Sequence, residues 1–318
     1  MKKISIHIYI VLGLLIVGFI LGSIFDEQIS QAIFSRNNPF GLTISAIGTM
    51  PGYGILAIIG GSALFLAIKR YEKIWIKILL IILALATFGC SLYFTGREFF
   101  GPNGFAGTAP VWVGYLISLP FMCGLSFLGF ILAKKSDNDR LWLVLIILAV
   151  AIFLALIPGV TLLKAIFHRP RYRMVTSVEM QSLDLVGFHS WWIPCKNYKD
   201  IITQYNAVYG PGALISEEFK SFPSGHGGAS AVFMIFAVAL PAFNKKYFKL
   251  QLPLFYCGLA WCLFVCFTRI LVGAHFLSDV SMGTMLTVIF VLVSYFVIYK
   301  GKWFNGYFQE QPSETETI

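Results

Sequence analysis

The chain has 318 residues, 58% of them hydrophobic and 12% charged, with a formal net charge of +9 and a mean hydropathy of +0.78. That balance excludes a soluble globule, which needs far more charged surface to solvate itself. Nucleic acid is not the partner implied by the positive charge, because the basic residues fall in small clusters between apolar runs and form no continuous stripe.

A bilayer core about 30 Å thick needs roughly 20 apolar residues per helix. The chain offers eight such runs, near 6–25, 52–69, 75–94, 110–133, 141–163, 227–243, 251–268 and 276–299, and so predicts an all-α polytopic transmembrane bundle. The first run follows Lys2 and Lys3 and carries Gly18 and Gly22, a spacing suited to close helix packing. No small-residue cleavage pattern ends it, so it is expected to be a retained helix rather than a signal peptide. The second run is the weakest, since Gly52, Gly54, Gly60 and Gly61 lower helix propensity, although packed membrane helices tolerate them. Segments 26–51 and 95–109 read as connecting loops. Cys90, Cys123, Cys257, Cys262 and Cys266 lie in apolar runs and Cys195 in a loop, with no C-x-x-C pair, so they read as small core residues.

An inside amino terminus puts Lys2, Lys3, Lys69, Arg70, Lys73, Lys77, Lys134, Lys135, Arg140, Lys245, Lys246, Lys249, Lys300 and Lys302 on the cytoplasmic side, as the positive-inside rule expects. Both termini are then cytoplasmic, and the polar tail from Glu310 to Ile318 is expected to be disordered. The long segment 165–225 falls outside. It holds turn residues and aromatics, among them Trp191 and Trp192, which read as an interfacial belt. A connection of that length is a place to expect function.

Basic residues that the count leaves outside crowd together. Lys164 closes the fifth run and opens Lys-Ala-Ile-Phe-His-Arg-Pro-Arg-Tyr-Arg, in which Arg171 follows seven residues on and Pro170 should stop the helix. Pro223-Ser-Gly-His226 opens the sixth run. There Ser224 suits a helix cap, and the backbone N–H groups around Gly225 suit an anion. Arg269, His275 and Asp279 bridge the seventh and eighth runs, and a helix from 275 onward would put His275 and Asp279 on one face at i, i+4. On the loop-charge topology all three segments meet at one outer membrane face. His168 and His189 match no motif position and read as solvated loop residues, while Arg169 and Arg173 would only steer anions or contact headgroups.

These three segments resemble the signature of the type 2 phosphatidic acid phosphatase family, which shares its site with vanadium haloperoxidases. The family pattern is Lys-x6-Arg-Pro, then Pro-Ser-Gly-His, then Ser-Arg-x5-His-x3-Asp. The chain matches Lys164-x6-Arg171, all of Pro223 to His226, and Arg269-x5-His275-x3-Asp279, with Tyr172 in place of proline and Thr268 in place of serine. Neither departure removes a charged or proton-transferring group.

The resemblance implies a metal-independent phosphoric ester hydrolase without a cofactor. His275 would be the nucleophile, forming a phosphohistidine, with Asp279 bonded to its other ring nitrogen. His226 would protonate the leaving group and then activate water. Lys164, Arg171, Ser224, Gly225 and Arg269 would hold the phosphate oxygens. A catalytic core over 110–300 would follow an N-terminal extension over 1–109. The favoured substrate is a membrane lipid phosphate or diphosphate, of the undecaprenyl diphosphate, phosphatidylglycerol phosphate or phosphatidic acid type, because a site at headgroup depth leaves the tail in the bilayer. A soluble sugar phosphate is the alternative. A phosphate transporter would instead place its cations near the membrane midplane on broken helices, and a haloperoxidase would need vanadate.

Overall fold

A computed structural model describes residues 2–101, 109–301, 303, 304, 307 and 308, and among them the protein is helical without strands. The helices are α1 (Lys2–Ile33), α2 (Pro39–Ile47), α3 (Met50–Lys69), α4 (Ile74–Phe100), α5 (Val111–Lys134), α6 (Leu141–Leu154), α7 (Leu163–Phe167), α8 (Tyr172–Val175), α9 (Val178–Leu183), α10 (Tyr198–Tyr209), α11 (Gly225–Ala239), α12 (Phe248–Leu271) and α13 (Leu277–Lys300). They make eight spans long and apolar enough to cross a membrane, the number that the apolar runs predict. The tail beyond residue 308 lies outside the described residues.

The spans are longer than hydropathy suggests, and the difference matters at their ends. Residues 26–33 continue α1, residues 39–47 form α2, and α4 runs to Phe100, so the expected loops 26–51 and 95–109 begin as helix. Charged residues at those ends lower the hydropathy average without breaking the helix, and Asp26, Arg97 and Glu98 each find an ionisable partner in the fold.

α11 is the centre of the bundle. It packs on α12, α13 and α3, and its residues Gly227 to Ala239 are buried except for Phe233. Lipid-facing surfaces are instead apolar and open, as at Leu85 of α4 and Phe127 of α5. Cys90, Cys123 and Cys257 lie on such exposed faces, which corrects the expectation that all the cysteines are core residues; Cys195, Cys262 and Cys266 are buried. The glycines of the first and third helices do serve packing. A side chain at Gly52 would overlap the Ala229 carbonyl of α11, one at Gly61 would overlap Ser126 of α5, and one at Gly22 would overlap Ser278 at the start of α13.

Between α6 and α7 the helix widens into a π-helical stretch, Ala155–Leu162, that contains Pro158. Proline has no N–H to return to the preceding turn, and a wider turn accommodates the lost bond. The chain resumes as α7, carrying Lys164, and ends at His168 in the left-handed region with φ 44°. Pro170 follows within two residues, as the sequence predicts.

The segment 165–225 is a folded cap. Met174, Met180, Ile201, Leu214 and Phe219 form its own small core together with Phe276. The Arg173 N–H donates to the Gly273 carbonyl at 2.9 Å, and Gly273 adopts φ 65°, where a side chain would also strike Phe34. Trp191 is held within the fold. It stacks on Phe222 with centroids 5.0 Å apart, and its Nε1–H donates to Ser23 Oγ of α1 at 2.8 Å. Trp192 remains exposed.

Candidate active site

α12 and α13 are joined by a short turn that presents His275. α13 starts at Leu277, two residues later than an i, i+4 helical pair would need. Asp279 is instead at the third position of the helix, where its Oδ2 accepts the Phe276 N–H at 2.8 Å and caps the first turn. His275 Nδ1 lies 2.7 Å from the Ser221 carbonyl oxygen and 3.8 Å from Asp279 Oδ2. A carbonyl can only accept, so Nδ1 carries the hydrogen and Nε2 keeps its lone pair. The direct His275–Asp279 hydrogen bond expected from the sequence is therefore replaced by a relay. Ser221 Oγ donates to Asp279 Oδ2 at 2.5 Å while its carbonyl holds the ring.

His275 is 1% exposed. Burial holds its imidazole well below the ordinary histidine range; Asp279 opposes this, and the Lys164 and Arg171 cations reinforce it. The ring is accordingly neutral at pH 7, the form in which Nε2 can attack an electrophile.

Arg169 does not steer anions from the surface. It is 1% exposed, its Nη1 donates to Asp279 Oδ1 at 2.6 Å and to Ser278 Oγ at 2.9 Å, and its Nη2 donates to Asp26 Oδ2 at 2.9 Å. The guanidinium also lies 3.9 Å from the centroid of the Phe276 ring. Asp26 comes from α1 and additionally accepts the Ser278 N–H at 2.9 Å. A buried Asp26–Arg169–Asp279 chain thus fixes the start of α13. Arg173 pairs with Glu218 through two bonds of 3.0 and 2.5 Å. His168 stacks on Tyr198 at 3.9 Å, and the His189 carbonyl accepts from Arg169 Nε at 2.9 Å.

α11 begins as its sequence requires. Ser224 is the N-cap, its Oγ accepting the Gly227 N–H at 3.2 Å, and its own N–H donates to the Asp279 carbonyl at 2.9 Å. A side chain at Gly283 would overlap the Ser224 backbone, so α13 can lie this close only with glycine there. His226, the second residue of the helix, is 6.4 Å from His275 between ring centroids. Its Nε2 faces the Ser45 carbonyl at 3.1 Å and Glu98 Oε2 at 3.5 Å. Arg269 is fully buried and donates to Ser45 Oγ, while its Nε and Nη2 have no hydrogen-bond partner among the described residues.

A cavity of about 580 Å³ opens onto this end of the bundle. Lys164, Arg171, Gly225, His226 and His275 line its polar end, and Ser224, Arg269 and Asp279 sit buried behind that wall. Lys164 Nζ donates to the Lys220 carbonyl at 2.6 Å. The other end is apolar, walled by Leu56 of α3, Leu83 of α4 and Ile152, Phe153 and Ile157 of α6 and the π-helical stretch. All eight residues predicted from the motifs are therefore brought to one end of the bundle. Sequence reasoning missed Asp26, Ser45, Glu98 and Ser221. Among the described residues no three His, Cys, Asp or Glu side chains gather as metal ligands would.

Residues 140–303 match the family model of the PAP2 superfamily. No curated protein and no solved structure matches the chain. The matched stretch contains all eight motif residues, whereas Asp26, Ser45 and Glu98 precede it.

Proposed function

This chain belongs to the PAP2 superfamily, whose membership implies a membrane-associated phosphatase acting on phosphate esters, and on that footing we propose that its substrate is a lipid phosphate or diphosphate. The observation that carries the lipid reading is the two-ended cavity, cationic beside the histidines and apolar between α3, α4 and α6. A phosphate at the cationic end leaves its hydrocarbon tail among Leu56, Leu83 and Phe153. The loop charges support an active site on the extracytoplasmic face.

In the first step Nε2 of His275 forms a bond to phosphorus as the ester P–O bond breaks. The departing alkoxide takes a proton from the imidazolium of His226. In the second step neutral His226 removes a proton from water, the new P–O bond forms, and the P–N electron pair returns to Nε2. Ser221 and Asp279 keep the His275 hydrogen on Nδ1 throughout and stabilise the positive charge on the ring. Lys164, Arg171, the two unpaired nitrogens of Arg269, the Ser224 hydroxyl and the backbone N–H groups at Gly225 provide donors where negative charge accumulates.

Phosphate release should be assayed in detergent and EDTA from a long-chain alkyl phosphate, phosphatidic acid and a sugar phosphate. The long-chain esters should be turned over faster than the sugar phosphate, and His275→Ala should lose more than about 10³-fold. Equal rates for sugar phosphate and lipids would remove the lipid assignment. Unchanged turnover in His275→Ala would remove the mechanism.

A further inference from the structure

Glu98 stands in the last turn of α4, inside a candidate membrane span, and its side chain is 19% exposed toward the cavity end that holds the histidines. An ionisable group at such depth is costly unless it has a partner or a task. Its neighbour Arg97 reaches toward Glu217 of the cap, at 3.9 Å. Glu98 instead places Oε2 3.5 Å from Nε2 of His226, within a ring of charge supplied by Arg97, Lys164, Arg171 and Arg269.

Two acceptors then face the same ring nitrogen, the Ser45 carbonyl and the Glu98 carboxylate. The carbonyl requires a hydrogen on Nε2, so the proton that His226 gives up or takes must move at Nδ1. A carboxylate beside the far nitrogen of an acid–base histidine holds the tautomer and stabilises the imidazolium, the relation that the aspartate bears to the histidine in a serine hydrolase triad. We propose, on the phosphatase reading above, that Glu98 is a positioning residue for His226 and that this N-terminal helix, outside the family match, sets the strength of the general acid.

The test compares the full-length enzyme with Glu98→Gln and Glu98→Asp on two esters of equal tail length. One is dodecyl phosphate, whose alkoxide must be protonated as it leaves; the other is a dodecyl-substituted nitrophenyl phosphate, whose phenolate leaves unaided. Single-turnover release of the alcohol or phenol isolates the first step. Glu98→Gln should slow dodecyl phosphate on the order of 10²-fold and the nitrophenyl ester by less than about 10-fold, with Glu98→Asp recovering part of the loss. The ratio of the two rates within one preparation does not depend on how much of the variant is folded. Equal losses on both esters, or no loss on dodecyl phosphate, would overturn the assignment of Glu98. A wild-type enzyme inactive on both would overturn the phosphatase reading and this assignment with it.

Discussion

At the scale of single residues, the proposed nucleophile is prepared by groups distant from it in sequence. Ser221, 54 residues before His275, accepts from Nδ1 and so leaves Nε2 free. Burial and the nearby cations hold the folded ring below 6.5, the ordinary value. As pH falls the unfolded chain therefore takes up the proton first, so stability owed to the neutral ring is complete above pH 6.5 and is lost as pH drops through the folded value. For an ester with an acidic leaving group, which needs no proton from His226, the rate of phosphoenzyme formation, corrected for ionisation of the substrate, should stay level through pH 6.5 and bend only at lower pH. A bend at about 6.5 would show the ring to be freely solvated. The motif residues were legible because their spacing is fixed by local turns and helix starts. Ser221 was not, because its contribution is a backbone carbonyl, which every residue carries.

At the scale of elements, the close packing of α1 on α13 brings a carboxylate to the candidate site. The absence of a side chain at Gly22 lets α1 lie against Ser278, and one turn further Asp26 reaches Arg169 and the Ser278 N–H. Asp26→Ala leaves a buried guanidinium paired on one side only, and should destabilise the protein by about 3–5 kcal/mol, read as a lower Tm in detergent. An unchanged Tm would mean that Asp279 alone satisfies Arg169. Hydropathy found this helix but ended it at residue 25, which left Asp26 in a loop, and ended the third run at 94, which did the same to Glu98. Ending a span where charge begins discards the residues whose charge has been accommodated by the fold. An ionisable residue one turn inside a long apolar helix is the signal that would have recovered both.

Over the whole molecule, the motif segments lie in the family-matched part while the first 100 residues complete the candidate site. α1 supplies Asp26, α2 supplies Ser45 to both His226 and Arg269, and α4 supplies Glu98. α3 and α4 also form one side of the apolar cavity wall. Apolar runs and loop charges gave the number of helices and a common face for the motifs, yet they carry no information about which helix lies beside which. That is decided by side-chain volume at contacts such as Gly52 against Ala229 and Gly283 against Ser224. The most direct test of catalysis by His275 is to trap the enzyme with phosphate-labelled lipid ester and map the label. Label should appear on His275, be stable to base and labile to acid, accumulate in His226→Ala given an ester with an acidic leaving group, and be absent from His275→Ala. Turnover by a wild-type enzyme that never acquires label, or label that persists in His275→Ala, would contradict a phosphohistidine at this position.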